Sequence, residues 1–384
     1  MESKLHLDRL YVKNFRALDE LTLENLGRVN VFVGRNNSGK STILDAIELL
    51  VAPNKFEVLR KQADKHGELD DERSRERDFT FIENFFSGRL LPRGFDSITL
   101  ESSQNSCVLS HHFVKEFQTE DLFEGESRVR IKRKFSEQAP KDDDAGESYR
   151  ALSLDVNGKR IIVADNENNP EKYIGSSVNL PSRLSSYNDF FDGLSTKYVS
   201  TKPFDSSFLD NLWGSVQFSP EMNSTLISAL NLVSEDVEIF GFMQVSPSRS
   251  RERKALVKLK DLDKPVPLSS MGDGMSRVLH IILSLLNAKD GILLIDEMEN
   301  GLHYRIQESL WRIIFEFSTK LNIQVFVTTH SWDVIESFSK IAVEHPEEGV
   351  LYSLGRSGID GKLNAHRYSE ERLYQVTQSE MEVR

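Results

Sequence analysis

Apolar residues along the chain fall into two kinds of run. Short stretches such as Val29-Asn30-Val31-Phe32-Val33, Ile292-Leu293-Leu294-Ile295 and Val325-Phe326-Val327 end in polar or glycine-rich turns. All three runs are β-rich, and Ile292–Ile295 has the pattern of a buried parallel strand. Elsewhere apolar positions recur at helical spacing, at Ile43, Ile47 and Leu50 after the first run and at Val278, Ile281, Ile282 and Leu285 before the second. Each set gives a helix one face to lay against the sheet. From Ser97 to Val163 several runs alternate like strands, and Val156-Asn157-Gly158-Lys159 supplies a tight hairpin turn, which predicts an antiparallel β subdomain.

The pattern implies an α/β chain in three stretches. Residues 1–163 form an N-terminal lobe with a surface helical insertion at about 51–94; residues 164–250 are a mainly helical insertion; residues 251–384 form a C-terminal lobe. The first insertion carries the charged run Arg73–Asp78 and the aromatic run Phe79–Phe86, whose phenylalanines are expected to pack. The second turns helical near Pro220, with Leu226, Ala229, Leu230 and Val233 on one face. Its Phe190, Phe191, Phe204, Phe208, Leu212 and Trp213 make either a small core of their own or a self-association or partner surface.

The first buried run leads into Gly34-Arg35-Asn36-Asn37-Ser38-Gly39-Lys40-Ser41-Thr42, the G-x-x-x-x-G-K-[ST] spacing of a phosphate-binding loop. Gly34 and Gly39 let the backbone turn tightly and bring its N–H groups near phosphate oxygens, and Lys40 neutralises the β- and γ-phosphates. Ser41 offers its hydroxyl to Mg²⁺, and the helix that starts here points its positive end at the anion. The run Ile292–Ile295 delivers Asp296 and Glu297 at its C-terminal end, where ligands of open α/β sheets bind. Asp296 is expected to hold Mg²⁺ and Glu297 to polarise the attacking water. Leu268-Ser269-Ser270-Met271-Gly272-Asp273-Gly274 is a serine and glycine turn before a helix, and Thr328-Thr329-His330 closes the last run. His330 is placed to touch the γ-phosphate or the water, against the plain alternative of a packed or surface histidine.

The order of P-loop, serine/glycine turn, Asp-Glu strand and strand-Thr-His resembles the ABC-type AAA ATPase heads of the SMC and RecF class. The segment Asp296-Glu297-Met298-Glu299-Asn300-Gly301-Leu302-His303 is most similar to the OLD-type ATPases, and Val12-Lys13-Asn14-Phe15-Arg16 to their opening strand. The resemblance implies a P-loop NTPase of the ABC-ATPase head type, with a mixed central sheet, an antiparallel β subdomain and helical insertions. It implies ATP and Mg²⁺ as cofactors and slow ATP hydrolysis. Ser270, Gly272 and Gly274 would act in trans on nucleotide held by a second protomer, in a homodimer or an oligomer of dimers, with Gly301-Leu302-His303 at the protomer contact. Arg16 would touch phosphate or base, with an exposed arginine as the equal alternative.

Two departures shape the functional expectation. OLD nucleases carry a TOPRIM domain after the Thr-His strand, where about fifty residues follow here, and SMC proteins carry long coiled coils where no sustained heptads occur. The chain then resembles a stand-alone head such as the ATPase subunits of prokaryotic anti-phage systems, an ATP-dependent sensor or switch whose effector is a separate TOPRIM-type nuclease or toxin. The alternatives are a RecF-like DNA-repair ATPase and a slow-turnover ATP-bound scaffold that sequesters a toxin.

Composition changes this picture little. The chain has 384 residues, 39% hydrophobic and 28% charged, which gives length enough for a sizeable core. Cys107 is the single cysteine, so no intramolecular disulfide can form, and the start is too charged for a signal peptide. No apolar run approaches the roughly 18 residues of a membrane span; a cytoplasmic protein without membrane contact is expected. A net charge of −12 opposes general affinity for nucleic acid. A local basic face remains possible at Arg128, Arg130, Lys132 and Lys134 or at Arg249–Lys254, against a solvated strand and loop as the alternative.

Overall fold

The computed structural model describes residues 5–69, 80–89, 97–123, 126–136, 148–164, 193–201, 206–244, 253–357 and 362–379. The chain divides into two compact units. Met1–Asp8, Glu24–Leu44 and Leu194–Arg384 make the first, and Arg9–Leu23 with Asp45–Gly193 the second. The units interleave along the chain, whereas the lobes expected from the sequence follow in series. Composition marks surface segments, but strand pairing across hundreds of residues decides which parts pack together.

The chain opens with the hairpin β1 (Leu10–Phe15) and β2 (Leu18–Leu23), then β3 (Val29–Gly34), α1 (Lys40–Val51) and α2 (Lys55–Lys65). Strands β4 (Ile98–Glu101), β5 (Ser106–Phe123), β6 (Glu126–Ser136), β7 (Ser148–Val156) and β8 (Lys159–Ala164) follow. Together with β1 and β2 these make the second unit's seven-stranded sheet, in the order β2-β1-β4-β5-β7-β8 with β6 added on β5. Its pairs are antiparallel, as the alternation predicted. The Asn-Gly turn joins β7 to β8 with Val156 opposite Lys159, and both turn residues take positive φ, 52° at Asn157 and 78° at Gly158. That is the primed turn geometry matching strand twist. Residues 128, 130, 132 and 134 occupy alternate positions of β6, opposite 121, 119, 117 and 115 of β5.

The first unit continues with β9 (Thr196–Val199), α3 (Ser206–Val216), α4 (Pro220–Leu230), β10 (Val237–Gln244), β11 (Arg253–Leu259) and β12 (Val266–Pro267). Then come α5 (Asp273–Leu286), β13 (Ile292–Ile295), α6 (Tyr304–Lys320), β14 (Gln324–Thr329), α7 (Trp332–Ala342), β15 (Gly349–Arg356), β16 (Leu363–Tyr368) and α8 (Glu370–Gln378). Its main sheet has the order β16-β15-β3-β14-β13-β9, while β10, β11 and β12 form a small sheet of their own. All main-sheet pairs are parallel except β15 with β16, so the sheet is mixed. Every residue of β3, β13 and β14 is buried, the polar Asn30, Gln324, Thr328 and Thr329 included. The parallel order brings the C-terminal ends of β3, β13 and β14 side by side, which positions the site.

Packing resolves several aromatic questions. Ile82, Phe85 and Phe86 are buried in the second unit, and Leu212 and Trp213 in the core of the first, so these residues pack rather than present a surface; Phe208 stays 40% exposed. Phe79, Phe190, Phe191 and Phe204 lie outside the described residues, as do Arg73–Asp78 and residues 249–252. Arg253 begins β11 and pairs with Asp210 at 2.8 Å. Among the described residues no helix is long and apolar enough to cross a membrane.

Candidate functional site

The P-loop connects β3 to α1. Gly34 is needed because a Cβ there would lie 2.6 Å from the Leu354 carbonyl oxygen and 2.8 Å from Ser38 Oγ, closer than real Cβ contacts allow. Asn37 takes φ 61° and Gly39 φ 91°, which turn the loop back on itself. Arg35, Asn36 and Asn37 are exposed on its outside, whereas Ser38 and Lys40 are buried. Lys40 Nζ donates to the carbonyls of Gly34 at 2.8 Å and Arg35 at 2.9 Å, which holds the ammonium within the loop. The Ser38 hydroxyl is buried without a hydrogen-bond partner, a polar atom whose burial calls for an acceptor or donor from a ligand. Ser41 and Thr42 stand half-buried in the first turn of α1, where unsatisfied N–H groups and the helix dipole favour an anion. The loop thus fits a polyphosphate on its own chemistry.

The strand ends complete a network that spans more than 250 residues of sequence. Asp296 follows β13 and is 4% exposed. Its Oδ1 accepts from Ser41 Oγ at 2.8 Å and from Thr328 Oγ1 at 2.7 Å, and its Oδ2 from Tyr198 Oη at 3.4 Å. Thr328 Oγ1 accepts in turn from the Glu297 N–H at 2.8 Å. Glu297 takes φ 48°, a left-handed backbone that non-glycine residues adopt sparingly. It is half-buried beside the carboxylate that Ser41 touches. Two hard oxygen donors, Ser41 Oγ and Asp296 Oδ1, already meet; this donor set fits Mg²⁺.

His330 is fixed by a residue that the sequence reading did not single out. Glu299 Oε1 lies 2.7 Å from His330 Nδ1 and also accepts from the His330 N–H at 2.7 Å, while its Oε2 accepts from Thr329 Oγ1 at 2.7 Å. With Nδ1–H donating to Glu299, Nε2 is the nitrogen left to face a ligand. His330 is 48% exposed at its side chain and Glu299 14%. Arg277 was also missed. It is 6% exposed and donates to backbone carbonyls of Ser200, Asp296 and Glu297. Burial lowers its pKa, opposed by the charges of Asp296, Glu299 and Glu297. The one available signal was a cation on the apolar stripe of α5, at helical spacing from Ile281 and Leu285.

The serine/glycine turn is arranged differently. Leu268–Ser270 form a single tight turn, and Ser270 Oγ donates back to Pro267 O at 2.6 Å. Gly272 caps α5 with φ 88°, and it and Ser270 are exposed. Gly274 lies in the first turn of α5, where a Cβ would sit 2.9 Å from Gly301 O. His303 caps α6, its Nδ1 accepting from the Arg305 N–H at 3.3 Å. Arg16, in the second unit, is not an exposed arginine. It donates to Glu68 Oε1 at 2.8 Å and Oε2 at 2.9 Å and lies 4.1 Å from the centre of the Phe85 ring. Glu68 is too far along the sequence for local pattern to reveal this bidentate partner.

A phosphate cradle at β3, a carboxylate pair at β13 and a Thr-His end at β14 define a mixed α/β P-loop nucleoside triphosphatase. Residues 6–335 match the family described as AAA ATPase domain. The chain belongs to that family and is a nucleotide-binding ATPase. It is 23% identical to the ATP/GTP phosphatase of Helicobacter pylori over 365 residues, 87% of each chain. A shorter stretch of 46 residues, 12% of each chain, is 44% identical to the DNA replication and repair protein RecF of Halothermothrix orenii. Among solved structures, the SMC head domain from Thermotoga maritima is similar over 95% of this chain and all of its own, with 14% identity and a TM-score of 0.41.

Proposed function

We propose that this ATPase is a switch that closes as a head-to-head dimer on ATP and reopens on hydrolysis, and thereby controls a separate effector. The observation that carries the reading is the contrast within one protomer: Asp296 is already bonded by Ser41 and Thr328, while Ser270 and Gly272 stand exposed just before α5. In the closed dimer, Ser270, Gly272 and Gly274 complete the nucleotide site of the partner.

The P-loop amides and Lys40 bind the β- and γ-phosphates. Ser41 and Asp296 hold Mg²⁺, which when bound supplies positive charge to the phosphate oxygens. Glu297 accepts a proton from water as the water oxygen attacks the γ-phosphorus and the bond to the departing ADP oxygen breaks. His330, oriented by Glu299, donates to or accepts from the same reacting groups. The likeness to a protein named ATP/GTP phosphatase supports testing GTP beside ATP. The effector is a TOPRIM-type nuclease or a toxin, and the setting anti-phage defence. The local likeness to RecF supports a second reading, DNA binding by the strand that carries Arg128, Arg130, Lys132 and Lys134.

Glu297→Gln tests the reading. It should bind ATP, hydrolyse it at least about 100-fold more slowly, and shift from monomer to dimer in ATP by light scattering. Hydrolysis at the wild-type rate, or no dimer, rejects the proposal. Recovery of this variant from its native host with ATP separates the outputs: a bound small protein means effector control, and bound nucleic acid without one means the RecF-like role.

A further inference from the structure

Arg277 sits on α5 one turn beyond the serine/glycine turn, and its bonds reach the catalytic loop of its own protomer. Nη2 donates to Asp296 O at 2.6 Å and to Glu297 O at 2.9 Å, and Nη1 to Ser200 O at 2.7 Å, just past β9. One buried guanidinium therefore grips the backbone on both sides of the catalytic carboxylate. Glu297 holds a left-handed backbone at φ 48°, a conformation that persists only where neighbours enforce it. Its N–H is held by Thr328 Oγ1 and its C=O by Arg277. The first turn of α5 also rests on the loop after the acids, through the close approach of Gly274 to Gly301 O. The helix start therefore touches the loop that follows Glu297.

We propose that Arg277 is a positioning residue that couples the serine/glycine turn of each protomer to Glu297 of the same protomer. This rests on the reading above, in which that turn closes on the partner's nucleotide and Glu297 is the base. Nucleotide in one site pulls on the partner's α5, and Arg277 there sets the partner's Glu297 for its own nucleotide. Two-fold symmetry makes the effect reciprocal, so hydrolysis is cooperative between the two sites. A planar guanidinium can serve three carbonyls at fixed angles, and an ammonium cannot.

Arg277→Lys, which keeps the buried charge, and Arg277→Gln test this in the full chain. The readouts are steady-state ATPase rates across ATP concentration and fluorescent-ATP binding at protein concentrations where the chain is monomeric. The wild type should show a Hill coefficient near the two-site limit of about 2. Both variants should bind the fluorescent ATP within about twofold of wild type, lose about 100-fold in kcat, and fall to a Hill coefficient of about 1. If Arg277→Gln does not fold, Arg277→Lys decides. A lysine variant with wild-type kcat and cooperativity overturns the inference, as does one that loses monomer nucleotide binding or a wild type that is not cooperative. Glu297→Gln, run alongside, separates the failures. If it hydrolyses normally, the underlying reading falls. If it is inactive while Arg277→Lys behaves as wild type, only the coupling falls.

Discussion

The strand ends of the first unit and the serine/glycine turn of α5 are assigned by the proposal to one nucleotide site, yet they are built on opposite principles. At the strand ends, Asp296 and His330 are held before any ligand arrives: Ser41, Thr328 and Tyr198 converge on Asp296, and Glu299 holds His330. Such preorganisation makes electrostatic catalysis effective, because no reorganisation is needed as charge develops. At the turn, Ser270 bonds only to its neighbour Pro267 among the described partners, and Gly272 is exposed with φ 88°. A surface of that kind is suited to meeting something that comes and goes. The difference teaches that the contacts around Asp296 are made within one chain, while the proposed dimer would give the exposed turn its task.

The largest break in that comparison comes from Lys40→Ala. The ammonium lies within the P-loop, bonded to two carbonyls that cradle it, and phosphate gains charge-assisted hydrogen bonds worth roughly 1.5–3 kcal/mol each. ATP binding by calorimetry should weaken by about 100-fold or more, and the prebuilt half of the site then has nothing to act on. Binding within a few-fold of wild type would remove Lys40 from the phosphate.

A smaller and more discriminating change is Thr328→Val, which keeps shape and removes one hydroxyl. That hydroxyl joins Asp296 Oδ1 at 2.7 Å to the Glu297 N–H at 2.8 Å. Its loss leaves a partly buried N–H without its partner, at a cost of up to about 1–3 kcal/mol, and should loosen the left-handed Glu297. The kcat should fall by about 10- to 100-fold while ATP affinity is kept. An unchanged kcat would mean that Glu297 is held without Thr328, and the claim that this half is preorganised by its threonine would fail.

What the sequence revealed follows the same division. Gly34, Lys40, Ser41, Asp296, Glu297 and His330 could be named as candidates because contiguous spacing suggests their chemistry, and β3, β13 and β14 were legible as strands because their apolar residues cluster in short runs. Thr328, Tyr198, Glu299 and Arg277 were not legible as site members. They act through contacts that only the sheet order creates: Ser41 and Asp296 stand 255 positions apart, and Tyr198 reaches Asp296 because β9 pairs with β13. The interleaving of the units was hidden for the same reason. Arg16 illustrates the same limit for charged residues, since nothing near it in sequence announces its partner Glu68.

The smallest effect on turnover should come from a buried charge that faces no chemistry, and it provides the control for the whole comparison. Lys55, in the second unit, is 2% exposed and donates to Leu50 O at 2.6 Å, a carbonyl in the last turn of α1 that has no partner further along the helix. Burial pushes its pKa from 10.5 down to about 8, partly offset by Cys107, whose own thiol burial pushes up to about 11. Between pH 8 and 10.5 the unfolded chain binds the proton that folded Lys55 releases, so this group makes stability rise with pH across that window. Buried Cys107 acts oppositely: between pH 9 and 11 the folded state keeps a proton that the unfolded state loses, and stability falls. At pH 7 the lysine shift corresponds to a cost of about 3 kcal/mol, less what the bond to Leu50 returns. Lys55→Met should therefore raise Tm at pH 7, abolish the rise between pH 8 and 10.5 and uncover the Cys107 decline, with kcat unchanged. Thermal melts from pH 7 to 11 with parallel ATPase assays check it. If the variant keeps the wild-type pH slope, the lysine is not the titrating group; if it loses kcat, the end of α1 is coupled to the P-loop at its start, and the boundary between prebuilt and passive charge has to be redrawn.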